Sequence, residues 1–116
     1  MRLRNVPGAR EVMIENEYVF TEPEGMKGTW SQVFGNDNPI RIEIGMGKGT
    51  FITTLAANNP DINYVGIEKY SSVLLRAVEK QDELQLPNLR FIRMDAEAIC
   101  EVFGEGEVDR ISVSYT

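Results

Sequence analysis

Histidine is absent from this chain, cysteine occurs once, and no apolar run is long enough to cross a bilayer. Without histidine there is no Ser-His or Cys-His nucleophile pair, no imidazole general base and no histidine-ligated metal. The single thiol, Cys100, cannot close an internal disulfide, and with no histidine beside it no zinc constellation is possible. Basic residues are also in short supply: 12 Lys and Arg stand against 18 Asp and Glu, a net charge of −6. A protein that grips nucleic acid regardless of its sequence needs a basic face, so this balance argues against that class. The opening Met1-Arg2-Leu3-Arg4-Asn5 lacks the apolar stretch of a secretory signal, and a cytoplasmic location is expected. The chemistry left open works through carboxylates, backbone groups and positioning.

What is present fits one compact domain. The 116 residues are 42% hydrophobic and 26% charged, as in ordinary globular proteins. The charge is uneven. Arg2, Arg4 and Arg10 fall within an acid-free first ten residues, whereas Asp95 to Asp109 carries six acids and no base. Such a basic arm either touches a phosphate backbone or is a solvated terminus.

Residues 1–39 read as an irregular N-terminal extension, punctuated by Gly8, Pro23, Gly25, Gly28, Gly35 and Pro39. A short helix over Ala9 to Asn16 fits within it, and the spacing of Trp30, Val33 and Phe34 reads as helical packing. From Ile40 the pattern sharpens. Ile40 to Ile44 alternates as a strand. Thr50 to Asn58 reads as a helix with Phe51, Ile52, Leu55 and Ala56 on one side. Tyr64 to Ile67 is a second strand, and Ser71 or Ser72 can cap a helix running to Leu84 that turns Val73, Leu74, Ala77 and Val78 to a sheet. Leu89 to Met94 is a third strand, Ala96 to Phe103 a short helix with Cys100 on its packed side, and Val108 to Tyr115 a fourth strand. This alternation predicts an α/β fold, a Rossmann-like doubly wound parallel sheet of strand order 3-2-1-4. Ligands of such sheets sit at the carboxyl ends of the strands.

The strongest chemical signal is Glu43-Ile44-Gly45-Met46-Gly47-Lys48-Gly49-Thr50, between the first strand and the first helix of that unit. A phosphate-cradling P-loop would need Ser or Thr after Lys48 and glycine at Ile42, so that motif fails. A dinucleotide fingerprint would need its third glycine at Thr50, so that match is weak. The acids point elsewhere. Glu43 lies at the end of the first strand, and Glu68 closes the second, 19 residues past Gly49, where a carboxylate can accept both ribose hydroxyls. Asp95 closes the third. Each acid also has a plainer reading: Glu43 as a solvated strand residue, Asp95-Ala96 as a helix cap. Together, three carboxylates at adjacent strand ends would repel a pyrophosphate and suit S-adenosylmethionine, which has no phosphate and carries an ammonium and a sulfonium.

Several blocks resemble the bacterial tRNA (guanine-N7)-methyltransferase family: Lys27-Gly28-Thr29-Trp30, Phe34 to Ile40, Glu43 to Gly49, Asn59 to Glu68, and Gly106 to Ile111. The resemblance implies a fold of the class I methyltransferase type, S-adenosylmethionine as cofactor and tRNA as substrate. It implies cofactor binding by Glu43, Gly45, Gly47, Glu68, Asp95 and Ala96, with Gly45 to Gly49 beside the methionine part. The chain departs from the family at Val6 and Gly8, where lysine and tryptophan usually flank the proline matching Pro7. The family continues with an Asp-Pro-Trp-Pro segment whose aspartate is assigned to catalysis. Thr116 falls one position short of it, so no catalytic residue is expected within the chain. Residues 40–116 are therefore expected to form a cofactor-binding half domain that is inactive alone. A nicotinamide-dependent dehydrogenase domain and a fragment that binds nothing remain as alternatives.

Overall fold

The computed structural model describes residues 8–113. Its elements run α1 (Ala9–Glu15), β1 (Val19–Phe20), α2 (Trp30–Phe34), β2 (Ile40–Ile44), α3 (Thr50–Asn58), β3 (Asn63–Glu68), α4 (Ser71–Leu84), β4 (Leu89–Arg93), α5 (Ile99–Val102, entered through a 3-10 turn at Ala96–Ala98) and β5 (Arg110–Val113). All strand pairs are parallel, and the order is β1-β4-β3-β2-β5. This differs from the expected 3-2-1-4 by one added edge strand. Val19 and Phe20 pair with Phe91 and Ile92. Two residues are too few to show an alternating pattern, so β1 left no trace in the sequence.

Side-chain alternation sorts the sheet into two faces. Ile40, Ile42, Val65, Ile67 and Ile92 face one cluster with Trp30, Val102 and Phe103. Tyr64, Leu89 and Phe91 face the other, with Met13, Ile52, Ala56, Leu74, Ala77 and Val78. Helices thus cover both faces of the central strands, and every residue of β3 is buried. Trp30 anchors the first cluster, stacked on Phe103 at 4.9 Å, with Phe20 edge-on at 5.4 Å and its indole N–H donating to the Val102 carbonyl at 2.9 Å.

Polar side chains close the connections. The Asn88 amide, buried, donates to the carbonyls of Ala56, Asn59 and Ile62 and so ties the end of α3 to the start of β3. Gln81, fully buried, donates to the carbonyls of Leu86 and Leu89 and accepts from the Leu86 N–H, closing the α4–β4 turn. Arg90 sits between the rings of Tyr18 and Phe34, 5.4 Å from each. Burial lowers its pKa, opposed by Tyr18 and Glu17.

Five sequence expectations change here. Phe51 is 59% exposed, and Thr53 takes the inward position instead, its hydroxyl donating to the Gly49 carbonyl at 2.7 Å. Neither Ser71 nor Ser72 caps α4; Tyr70 holds the cap position and no side-chain cap bond forms. The helix read over Ala96 to Phe103 splits into a 3-10 turn and a four-residue helix. Within it Ile99 and Val102 point inward, which turns Cys100 outward to solvent. The fourth predicted strand runs Arg110–Val113; its expected end at Tyr115, like Arg2, Arg4 and Val6, lies outside the described residues. No helix among the described residues is long and apolar enough to cross a membrane.

Candidate functional site

The carboxyl ends of β2, β3 and β4 lie side by side, and the glycine loop crosses the first of them. As β2 ends, the Gly45 and Met46 N–H groups still donate to the Ile67 carbonyl, at 3.0 and 3.4 Å. The chain then turns through Gly47 and Gly49 into α3, with the Gly49 N–H donating to the Met46 carbonyl at 3.1 Å. The two glycines serve different ends. Gly47 has a left-handed φ of 60°, and no atom lies within 4 Å of where a side chain would begin. That leaves its backbone open to a ligand. At Gly49 (φ 78°) a Cβ would stand 2.5 Å from the Ala77 Cβ, so this glycine is needed for the α3–α4 contact. Met46 points down from the loop, 6% exposed, into the space left by Gly66, where any side chain would overlap its sulfur.

The register sets the three acids on a diagonal. Glu43 pairs with Gly66, Glu68 lies two residues further on and pairs with Arg93, and Asp95 lies two residues further again. Each step crosses about 4.8 Å between strands and advances about 6.6 Å along them. By alternation Glu43 and Glu68 share the α3–α4 face. Their environments differ. Glu43 is 4% exposed. Glu68, 8% exposed, accepts from the Gly47 N–H through Oε1 and from the Tyr70 N–H through Oε2, each at 3.1 Å. Asp95 is open to solvent and accepts from the Glu97 N–H at 3.0 Å, so it caps the turn that begins at Ala96. That backbone bond holds its carboxyl below the usual range, helped by Lys69, whose Nζ lies 3.6 Å away. The acids are therefore brought to adjacent strand ends but are not one bare negative rim: Lys69 and three backbone N–H groups offset part of the charge.

Sequence reasoning missed Lys69, which follows Glu68 directly, because nothing local marks a lysine that will reach across to the next strand. It also missed Glu107. This carboxylate accepts from the N–H groups of Gly28 and Gly104 at 2.8 Å and of Trp30 at 3.1 Å. Two of the blocks singled out by resemblance, Lys27 to Trp30 and Gly106 to Ile111, are thus joined through one side chain. Two surface hollows, of about 350 and 290 Å³, lie away from the strand ends. One is lined by Asp37, Asn38 and Ile40 at the entry to β2, the other by Tyr18, Pro87 and Arg90 at the entry to β4. Among the described residues no group of three or more His, Cys, Asp or Glu side chains is placed to hold a metal ion.

Residues 37–116, from before β2 to the end, match a family described as "Putative methyltransferase". The chain belongs to this methyltransferase family. Its glycine loop, its three acids and all of β2 to β5 fall inside the matched span. Among curated proteins, the tRNA (guanine-N(7)-)-methyltransferase of Lachnoclostridium phytofermentans is 61% identical over 116 residues, all of this chain and 54% of that protein. The enzyme of the same name from Geobacillus sp. is 50% identical over 117 residues, covering all of this chain and 53% of that protein. The chain thus spans about half the length of the curated methyltransferases it matches. Solved methyltransferase structures share the fold. A 30S ribosomal methyltransferase from an uncultured bacterium superposes with a TM-score of 0.61 at 18% identity, over 75% of this chain and 42% of its own. PKMT2 from Rickettsia typhi, solved in complex with AdoHcy, gives 0.57 at 18% identity, over 83% of this chain and 19% of its own.

Proposed function

We propose that this chain is the cofactor-binding half of a tRNA (guanine-N7)-methyltransferase, acting in the cytoplasm on tRNA. Residues 40–116 form the unit that holds S-adenosylmethionine, and residues 1–39 extend it at the N-terminus. Glu68 accepts the ribose hydroxyls, the backbone of Gly45 and Gly47 lies along the methionine part, Glu43 adds negative charge beneath it, and Asp95 and Ala96 flank the base. The observation that carries this assignment is the tie between the buried Glu68 carboxylate and the open glycine loop at Gly47. It sets an anionic acceptor and a bare backbone in one crevice, which fits a cationic nucleoside without phosphate.

When bound, S-adenosylmethionine supplies an activated methyl group. A guanine N7 has a free lone pair, so transfer needs alignment rather than a base, and no residue of this chain has to move a proton. The chain alone is expected to bind the cofactor and to show little or no methyl transfer to tRNA. Calorimetric titration with S-adenosylmethionine and, separately, with NAD checks the first part; binding of NAD alone would overturn the assignment. Guanine methylation of tRNA by the purified chain would refute the second.

A further inference from the structure

We infer that Glu68 is a positioning residue for the glycine loop, holding it in shape before any cofactor arrives; its relevance to binding rests on the crevice being the cofactor site proposed above. Between β2 and α3 the chain makes few bonds of its own. Gly45 and Met46 continue the ladder to Ile67, and Gly49 closes a local turn onto Met46. At the apex, Gly47 takes a left-handed conformation beside exposed Lys48, and its N–H reaches across 21 residues of sequence to Glu68 Oε1. The other oxygen of the same carboxylate takes the Tyr70 N–H at the N-terminal cap of α4. One buried side chain therefore fastens the loop to the opposite wall of the crevice.

The tie and the ligand do not compete. Each carboxylate oxygen can accept two hydrogen bonds. One site per oxygen is used by backbone, which leaves one per oxygen, side by side, for a vicinal diol such as that of ribose. A loop already fixed loses less freedom when the ligand binds, so affinity rises without any new contact. Glutamine at this position would keep one acceptor and set an NH2 against the other backbone N–H.

Amide exchange on the isotopically labelled chain without cofactor tests this. In the wild type the Gly47 and Tyr70 amides are expected to be protected. Glu68→Ala should speed both by about ten-fold, the loss of a charge-assisted bond, while the Val65 and Ile67 amides stay unchanged. Glu68→Gln, of the same shape, should release one of the two and keep the other. Unaltered Gly47 exchange in Glu68→Ala would overturn the proposal. If the alanine variant unfolds, with Val65 and Ile67 also exchanging fast, the glutamine variant decides: both amides as protected as in the wild type would overturn it. S-adenosylmethionine titrated into the wild type should leave both amides protected and should bind Glu68→Gln at least ten-fold more weakly. A loop released by Glu68→Ala in a protein that ignores S-adenosylmethionine would keep the latch and sink the cofactor assignment instead.

Discussion

Gly49 shows how little a glycine pattern says about the job of each member. Gly47 faces open space, but Gly49 is pressed against Ala77 of α4 with a left-handed φ of 78°. Gly49→Ala should therefore cost about 1–3 kcal/mol, from the backbone conformation and the overlap together. Urea denaturation checks this, and adding Ala77→Gly should recover the overlap part only. No recovery in the double variant, or no loss in the single one, would contradict the contact. Asp95 makes a similar point about acids. Its lowered pKa means that the capping bond and the Lys69 contact are present above the ordinary carboxylate range and are lost only as pH falls through the folded value. At neutral pH Asp95 is an intact cap, whatever it does for a ligand.

At the scale of elements, polar clasps join segments that the apolar faces alone do not bring together. Glu107 ties the N–H groups of Gly28 and Trp30, at the start of α2, to that of Gly104 in the turn before β5. Glu107→Ala leaves three backbone donors without their acceptor and should destabilise by about 2–4 kcal/mol. Exposed Glu105, two residues away, serves as the control: Glu105→Ala should fall within about 0.5 kcal/mol of wild type in the same thermal or chemical melt. Equal effects would show that the clasp contributes nothing. Asn88 and Gln81 act alike, each closing a helix–strand connection with three hydrogen bonds. Asn88 and Glu107 sit in stretches that read as turn or acidic surface and Gln81 near the end of a predicted helix, and at each place composition does not distinguish a clasp from a solvated residue.

Over the whole molecule, β1 and β5 stand at the two edges of the sheet, and the three strands between them carry the packed faces. β1 is only two residues long, and all four described residues of β5 are exposed, Ile111 at 52% and Val113 at 50%.

The amino-acid order by itself determined the parallel α/β sheet, the bounds of α3, the place of the glycine loop and the resemblance to a methyltransferase family. These rest on local periodicity and on short motifs, which survive in any context. Tertiary structure alone decided that Val19 and Phe20 make a strand, that Phe51 and Cys100 turn outward, that Glu107 joins two distant blocks, and that Glu68, read from the sequence as a ribose acceptor, also bonds the glycine loop. Each depends on which surfaces meet across many residues of chain, and side-chain direction in a short helix or a two-residue strand is set by those neighbours rather than by propensity.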